Sequence, residues 1–271
     1  MEKTEMDYFY PTENCKTDIE DAGYFPSLHS MIQLTRSQGT GCPRAATELS
    51  NEAFCFWLAN YIGLPVDTWQ RWSGTQNPLM SLESGLWFEG NKNYTAPVAR
   101  VCHASWLPPG IDSNQSYEII PSKWQPRVTN RSDFLGMAMF DVWGGAQRYR
   151  QAIYIGWPDR TLRALFLSHG KMFNIQGDDG TIRYKPQLTG LRSLLMAHRH
   201  ALGEWTEEAI AGWAEKLRGL DSDCLQQAFD YACSEWQPDG WEDDVREFIA
   251  RRHVDIDLIA EAMQIELKQM K

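Results

Sequence analysis

The sequence has little that would mark a metal, membrane or secreted protein. Its six cysteines, at 15, 42, 55, 102, 224 and 233, are scattered and form no Cys-x-x-C pair. Cys102-His103 has no second ligand pair at matching spacing, which argues against a zinc site and leaves no expected metal ligands. No apolar run approaches the ~20 residues that a membrane span needs. The first fifteen residues, MEKTEMDYFYPTENC, lack the apolar core of a secretory signal. A cytoplasmic location with reduced thiols is the expectation. Positive charge is also short: 26 Lys and Arg stand against 36 Asp and Glu, a net charge of -10. That balance argues against a nucleic-acid partner, which calls for clustered cations, although Arg148, Tyr149 and Arg150 make a local basic group. No lysine occurs between Lys16 and Lys92, and there are no internal repeats.

What is present is apolar material and aromatics. The 271 residues are 43% hydrophobic and include 12 Trp, enough for a large core. The central stretch 134–173 organises the chain. It opens with an apolar run, Phe134 to Phe140, too mixed in period for a simple strand, and Asp141 with Gly144-Gly145 is expected to break it. Gln151 to Ile155 and Arg163 to Ser168 then alternate like strands. Pro158-Asp159-Arg160 supplies turn chemistry between them, so the pair reads as a β-hairpin. Both runs are apolar on both faces, so the hairpin is expected to be buried.

Before this stretch, residues 1–27 read as an irregular arm and Met31 to Thr35 as a short strand. Gly39-Thr40-Gly41 reads first as turn chemistry and second as a phosphate cradle. Thr47 is expected to cap a helix over Glu48 to Ile62, with Gly63 ending it in the left-handed conformation. Leu49, Ala53, Phe56 and Trp57, with Asn60 and Tyr61, make its core-facing stripe. Residues 73–96 read as a loop and crossing segment. After Phe173 a loop to about Pro186 holds the turn Gly177-Asp178-Asp179-Gly180. The last third is helical: stripes at Trp205, Ala209, Ile210, Trp213 and Leu217, at Leu225 and Phe229 behind a cap at Asp221, at Trp241, Val245, Phe248 and Ile249, and at Ile256, Ile259, Ala260 and Met263.

Helix, loop, hairpin and polar tip together resemble the catalytic segment of a kinase fold, and more narrowly the HipA-like kinases, in particular their small single-domain bacterial members. Phe140-Asp141-Val142-Trp143, Arg150-Gln151 and His169-Gly170 carry the likeness. Asn51-Glu52, Gly63-Leu64-Pro65-Val66, His103 to Pro108, Tyr117 to Pro121, Val128 to Phe134, and Ser234-Glu235-Trp236 with Arg251-Arg252 extend it over about residues 30–265. The resemblance implies an α+β, two-lobed protein-kinase-like fold with a largely helical C-terminal lobe. Residues 1–75 would form an N-terminal arm and a small N-lobe-like region. Residues 76–271 would form a C-lobe with the central hairpin and the C-terminal helices.

The departures fall on the chemistry. The family's loop asparagine is Ala146, its base aspartate is Arg148, and the metal aspartate before His-Gly is Ser168. The phosphate-holding lysine is missing from the region of Thr35 and Arg36, which weakens Glu52 as its partner and leaves the plain reading of a helix charge. Arg148 and Ser168 therefore stand as substituted catalytic positions, with Asp141 as a candidate displaced carboxylate. Thr40, Gly41, Glu52, Arg150, Gln151 and His169 are the candidate nucleotide-binding residues. Asp178 and Asp179 read as turn residues rather than replacement ligands. Mg²⁺ needs carboxylate oxygens and an Arg supplies none. The expectation is an inactive kinase relative that binds a protein, a nucleotide such as ATP without Mg²⁺, or both. Against it stand an active Ser/Thr kinase using displaced residues, and an unrelated globular interaction protein. Arg148 could equally pair with Asp141 or another carboxylate and simply fill the vacated acidic position.

Overall fold

A computed structural model describes residues 21–25, 30–35, 43–66, 68–73, 101–106, 116–117, 120–146, 152–157, 159–166, 169–177, 180–185, 188, 191, 195, 205–232 and 237–270. The chain divides into two compact units, one of residues 1–37 and 67–116 and one of residues 38–66 and 117–271. The segment 38–66, with its helix, belongs to the larger unit.

Among its described residues the smaller unit forms a four-stranded antiparallel sheet. Its strands are β1 (Asp21–Phe25), β2 (Ser30–Thr35), β3 (Thr68–Ser73) and β4 (Val101–Trp106), in the order β1-β2-β4-β3. The expected strand at Met31 to Thr35 is present. Residues 21–25, expected as part of an irregular arm, pair with it instead, Asp21 opposite Leu34 and Phe25 opposite Ser30. Thr35 lies opposite His103 of β4.

The larger unit mixes a small sheet with helices and becomes mostly helical toward its C-terminal end. Helix α1 (Pro43–Tyr61) starts earlier than expected, with Pro43 at a first-turn position where its missing N–H costs nothing. Thr47 therefore lies inside the helix. Gly63 follows at φ +82° and closes α1 as expected. Ala53, Phe54, Cys55, Leu58 and Ala59 are buried, whereas Asn60 and Tyr61 face solvent.

Helix α2 (Asp133–Trp143) explains the mixed period of the apolar run. Every residue from Phe134 to Trp143 is buried, so the helix has no solvent face and no amphipathic period. Asp141 does not break it. The helix runs two residues further and ends where Gly144 donates its N–H to Phe140 O at 2.8 Å and Gly145 takes φ +63°.

The expected hairpin is β6 (Ala152–Gly156) and β7 (Leu162–Phe166), antiparallel, with Ala152 opposite Phe166 and Gly156 opposite Leu162. Its turn is held by the Trp157 N–H to Thr161 O at 3.0 Å and by Asp159 Oδ1, which accepts from the Thr161 N–H and hydroxyl. A short β5 (Ser116–Tyr117) lies beside β6. The other edge of β7 is covered: Phe166 N–H donates to Pro65 O at 2.8 Å, and Asn130 both accepts from Ala164 N–H and donates to Ala164 O, each at 2.9 Å. Such pairing removes the exposed edge that a lone hairpin would leave. The region expected as plain loop after Phe173 contains the two-residue strands β8 (Ile175–Gln176) and β9 (Thr181–Ile182).

Among the described residues four full helices follow: α3 (Glu207–Arg218), α4 (Ser222–Ala232), α5 (Trp241–Val254) and α6 (Ile256–Gln269). The Thr206 side chain accepts from Ala209 N–H at 3.1 Å, and Asp221 Oδ1 accepts from Cys224 N–H at 2.8 Å, so the expected cap at Asp221 is present. The anticipated stripes are the buried faces, Ile210, Trp213 and Leu217 on α3 and Val245, Phe248 and Ile249 on α5 among them. Phe54 of α1 packs its ring 4.4 Å from Phe229, 5.8 Å from Phe173 and 5.9 Å from Trp241, joining α1, α4 and α5 in one aromatic core. Among the described residues no helix is long and apolar enough to cross a membrane.

Candidate functional site

The polar side of α1 builds the site. Arg44, Thr47, Glu48, Asn51 and Glu52 recur at helical spacing and so share one stripe. On a solvated helix these residues would face water. Here Thr47, Ser50, Asn51 and Glu52 are all buried, because residues 169–177 and Gly180 lie along them. Asn51 Nδ2 donates to Gly170 O at 3.0 Å and to Met172 O at 3.1 Å. Its Oδ1 accepts from Trp241 Nε1 at 2.8 Å. Arg44 bridges to the far end of the segment, Nη1 to Gly177 O at 2.9 Å and Nε to Glu48 Oε1 at 2.8 Å.

Two glycines permit the close approach. A Cβ on Gly170 would stand 2.8 Å from Glu48 O and 3.3 Å from Glu52 Oε2. A Cβ on Gly180, already at φ +70°, would stand 2.6 Å from Thr47 Oγ1. Glu52 and the His169-Gly170 pair, widely separated in sequence, are thus brought together.

The same segment also crosses the end of α2. Phe173 N–H donates to Gly144 O at 2.6 Å and Asn174 N–H to Gly145 O at 3.0 Å. Phe173 and Asn174 take positive φ angles of 61° and 50° to make this crossing, a conformation that costs a non-glycine residue free energy and needs support from its surroundings. That support is the burial of Phe173, which lies 5.4 Å from the Phe248 ring. His169 is wholly buried, with its ring 6.2 Å from Phe140. Asp141, one residue on from Phe140, is wholly buried as well.

Of the nine candidate residues, Glu52, Asp141 and His169 are described, and all three are enclosed. Thr40, Gly41, Arg148, Arg150, Gln151 and Ser168 lie outside the described residues, as do Asp178 and Asp179. Among the described residues no group of three His, Cys, Asp or Glu side chains could hold a metal ion. Asn51 and Trp241 are the organising pair that sequence reasoning missed. Asn51 was legible only as half of an Asn-Glu motif, and Trp241 only as a core position.

No protein-family model and no curated protein matches the chain. Among solved structures, it is similar to a chain of the Shewanella oneidensis MR-1 toxin–antitoxin complex of HipA, HipB and operator DNA, at a TM-score of 0.38 and 12% identity. That likeness covers 86% of this chain and 58% of the other, so the chain spans little more than half the length of the protein it matches.

Proposed function

We propose that the protein is a two-lobed, HipA-like kinase relative that binds its ligands without transferring phosphate. One observation carries the reading. The described residues that bracket positions 148 and 168 are joined to each other. Gly144 and Gly145, shortly before position 148, accept hydrogen bonds from Phe173 and Asn174, shortly after position 168. Ala152 and Phe166, which close the same two intervals from the hairpin side, are register partners. These contacts support reading the substitutions at Arg148 and Ser168 together.

Phosphoryl transfer depends on positioning and on charge neutralisation by Mg²⁺, and Mg²⁺ depends on carboxylate oxygens. Arg148 accepts no proton and binds no cation, and Ser168 brings no charge. The loss of a general base alone costs typically ~10²–10⁴ in rate; here the metal ligand and the lysine are lost with it. Asp141, which an active enzyme would have to recruit, is sealed inside α2. The described chemistry thus favours binding over the alternative of displaced catalytic residues.

Arg148 and Arg150 supply fixed positive charge suited to phosphate without a metal. Thr40, Gly41 and Gln151 complete the nucleotide side of the proposal, whereas Glu52 and His169 are buried and would reach a nucleotide only on an opening of the site; the other partner is a cytoplasmic protein rather than a membrane or a nucleic acid. A thermal-shift titration with ATP, with and without Mg²⁺, tests it. The expected result is stabilisation by ATP that is indifferent to Mg²⁺. Tightening by more than about tenfold on adding Mg²⁺, or ~1.4 kcal/mol, would overturn it.

A further inference from the structure

The tip of the β6–β7 hairpin is basic on a chain that is otherwise acidic. Arg160 lies in the turn, Arg163 faces outward on β7, and Arg127 is drawn to the tip by its Nε, which donates to Arg160 O. Lys123 is exposed on the same short 3-10 helix, Ser122–Arg127. Arg131 follows two residues after Thr129, which is bonded to Leu162 O, and its Nε finds no acceptor. Among the described residues none of these five cations is held in an ion pair, whereas Arg44, Arg218, Arg246, Arg251 and Arg252 are each paired with a carboxylate. Two described acids lie nearby. Asp159 is exposed in the turn and accepts from Thr161, and Asp133 is half-buried, hydrogen-bonded to Asn130 and near enough to Arg163 to feel its charge, so the tip keeps a net positive charge rather than a purely cationic face.

Aromatic rings are interleaved with the charges. The Arg127 guanidinium lies 4.8 Å from the centre of the Trp124 ring, and Trp124 meets Tyr117 edge-on at 5.4 Å. Trp157, at the turn, is 42% exposed. A guanidinium resting on a ring keeps its donor edge available to a carboxylate. An exposed indole beside it offers contact for an apolar side chain.

We propose that this tip is a docking surface for a short acidic peptide segment of a partner protein. Carboxylates of the segment meet Arg127, Arg160 and Arg163, and an apolar residue of the segment lies against Trp157. The occupant follows from charge. A nucleic acid presents a charge about every 1.7 Å of duplex and binds through an extended basic face. This patch is confined to one hairpin tip on a chain of net charge -10, which repels a long polyanion more than a short one. The surface lies a strand's length, on the order of 15 Å, from the open end of the hairpin.

Fluorescence anisotropy of the whole chain tests it, with a labelled oligoglutamate peptide containing one phenylalanine, the same peptide with glutamine for glutamate, and a labelled DNA duplex. Salt is varied from about 50 to about 200 mM. The glutamate peptide should bind, salt should weaken it, and the glutamine peptide should not bind. Arg160→Asn with Arg163→Glu should weaken binding at least about tenfold, while Lys268→Glu on α6 leaves it unchanged. Asparagine tolerates the φ of +65° at position 160, and Arg163→Gln alone provides a milder variant should the pair disturb folding. Peptide binding that is absent, or indifferent to these variants, overturns the proposal. So does tighter binding of the duplex that the same variants abolish, which would make the tip a nucleic-acid surface.

Discussion

Asn51 and Trp241 stand 190 positions apart in sequence and share one buried hydrogen bond, the indole Nε1–H donating to the amide oxygen at 2.8 Å. The same amide donates to two carbonyls of the turn after position 168. One side chain thus fixes three pieces of chain: α1, the first residue of α5, and the turn His169–Met172. Neither apolar packing nor charge supplies this specificity. It comes from a buried amide whose donors and acceptor are each matched, an arrangement that tolerates no exchange of partners.

Asn51→Ala should therefore cost more than one hydrogen bond. It strands the Trp241 N–H and two carbonyls in the interior, and each buried unmet group is worth about 1–3 kcal/mol. The expected loss is at least about 3 kcal/mol, read as a lower urea midpoint with an unchanged slope. Asn51→Asp should also destabilise, because it replaces two donors facing carbonyl oxygens with acceptors. A change under about 0.5 kcal/mol, the range of ordinary surface substitutions, would contradict the assigned role.

Gly136 makes a different demand. A Cβ there would stand 2.2 Å from Trp213 Cε2, so the indole of α3 lies flat on the missing side chain of α2. Lys216 Nζ covers the ring, 3.8 Å from its centre. Gly136→Ala should destabilise by about 1–3 kcal/mol through overpacking, despite the better helix propensity of alanine. Trp213→Leu should relieve part of that cost, so the double variant should lose less than the sum of the singles. Additive losses would mean the two residues do not meet.

Much of the frame was legible from sequence because its signals are local. Alternation on both sides of a turn gave the β6–β7 hairpin, Gly63 gave the end of α1, and the apolar stripes gave α3 to α6. The errors share a cause. Asp141 and Thr47 were read by their ordinary preferences, as a break and a cap, yet both are polar groups enclosed by tertiary contact within helices. Residues 21–25 look irregular alone and become a strand only by pairing with β2. The clamp at Asn51 left no periodic trace, since its partners are 119 to 190 positions away.

His253 gives a pH signature. It lies half-buried on α5 with its ring 6.2 Å from Trp143, and its Nδ1 has no hydrogen-bond partner. Burial holds its pKa below the usual value, partly offset by a hydrogen bond to the Arg218 backbone. The unfolded chain therefore binds this proton more readily than the folded one. The stability contribution is complete above about pH 6.5 and is lost as pH falls toward the depressed folded value. Denaturation midpoints of the parent should drop between about pH 7 and pH 5. His253→Gln should flatten that part of the profile relative to the parent, and an unchanged slope would remove His253 as its source.

The substituted chemistry leads to the most demanding expectation. The unmodified protein should neither phosphorylate itself nor turn over ATP above background. On the proposed reading, position 148 carries a fixed positive charge where a kinase would need a proton acceptor, and position 168 a neutral hydroxyl where it would need a cation ligand. Base and metal ligand act as a unit, and the effects of such groups are strongly non-additive. Arg148→Asp alone and Ser168→Asp alone should thus remain silent. The double variant is the least change able to give any transfer, and the missing lysine between Lys16 and Lys92 should hold it far below an ordinary kinase rate. Radiolabelled ATP with phosphosite detection by mass spectrometry reads every case. If the unmodified protein were phosphorylated stoichiometrically, and the signal vanished on substituting Asp141 or Asp178, displaced carboxylates would be doing the chemistry. Asp141 would then have to leave its buried place in α2, and hydrogen exchange along 133–143 should show that opening when ATP is added.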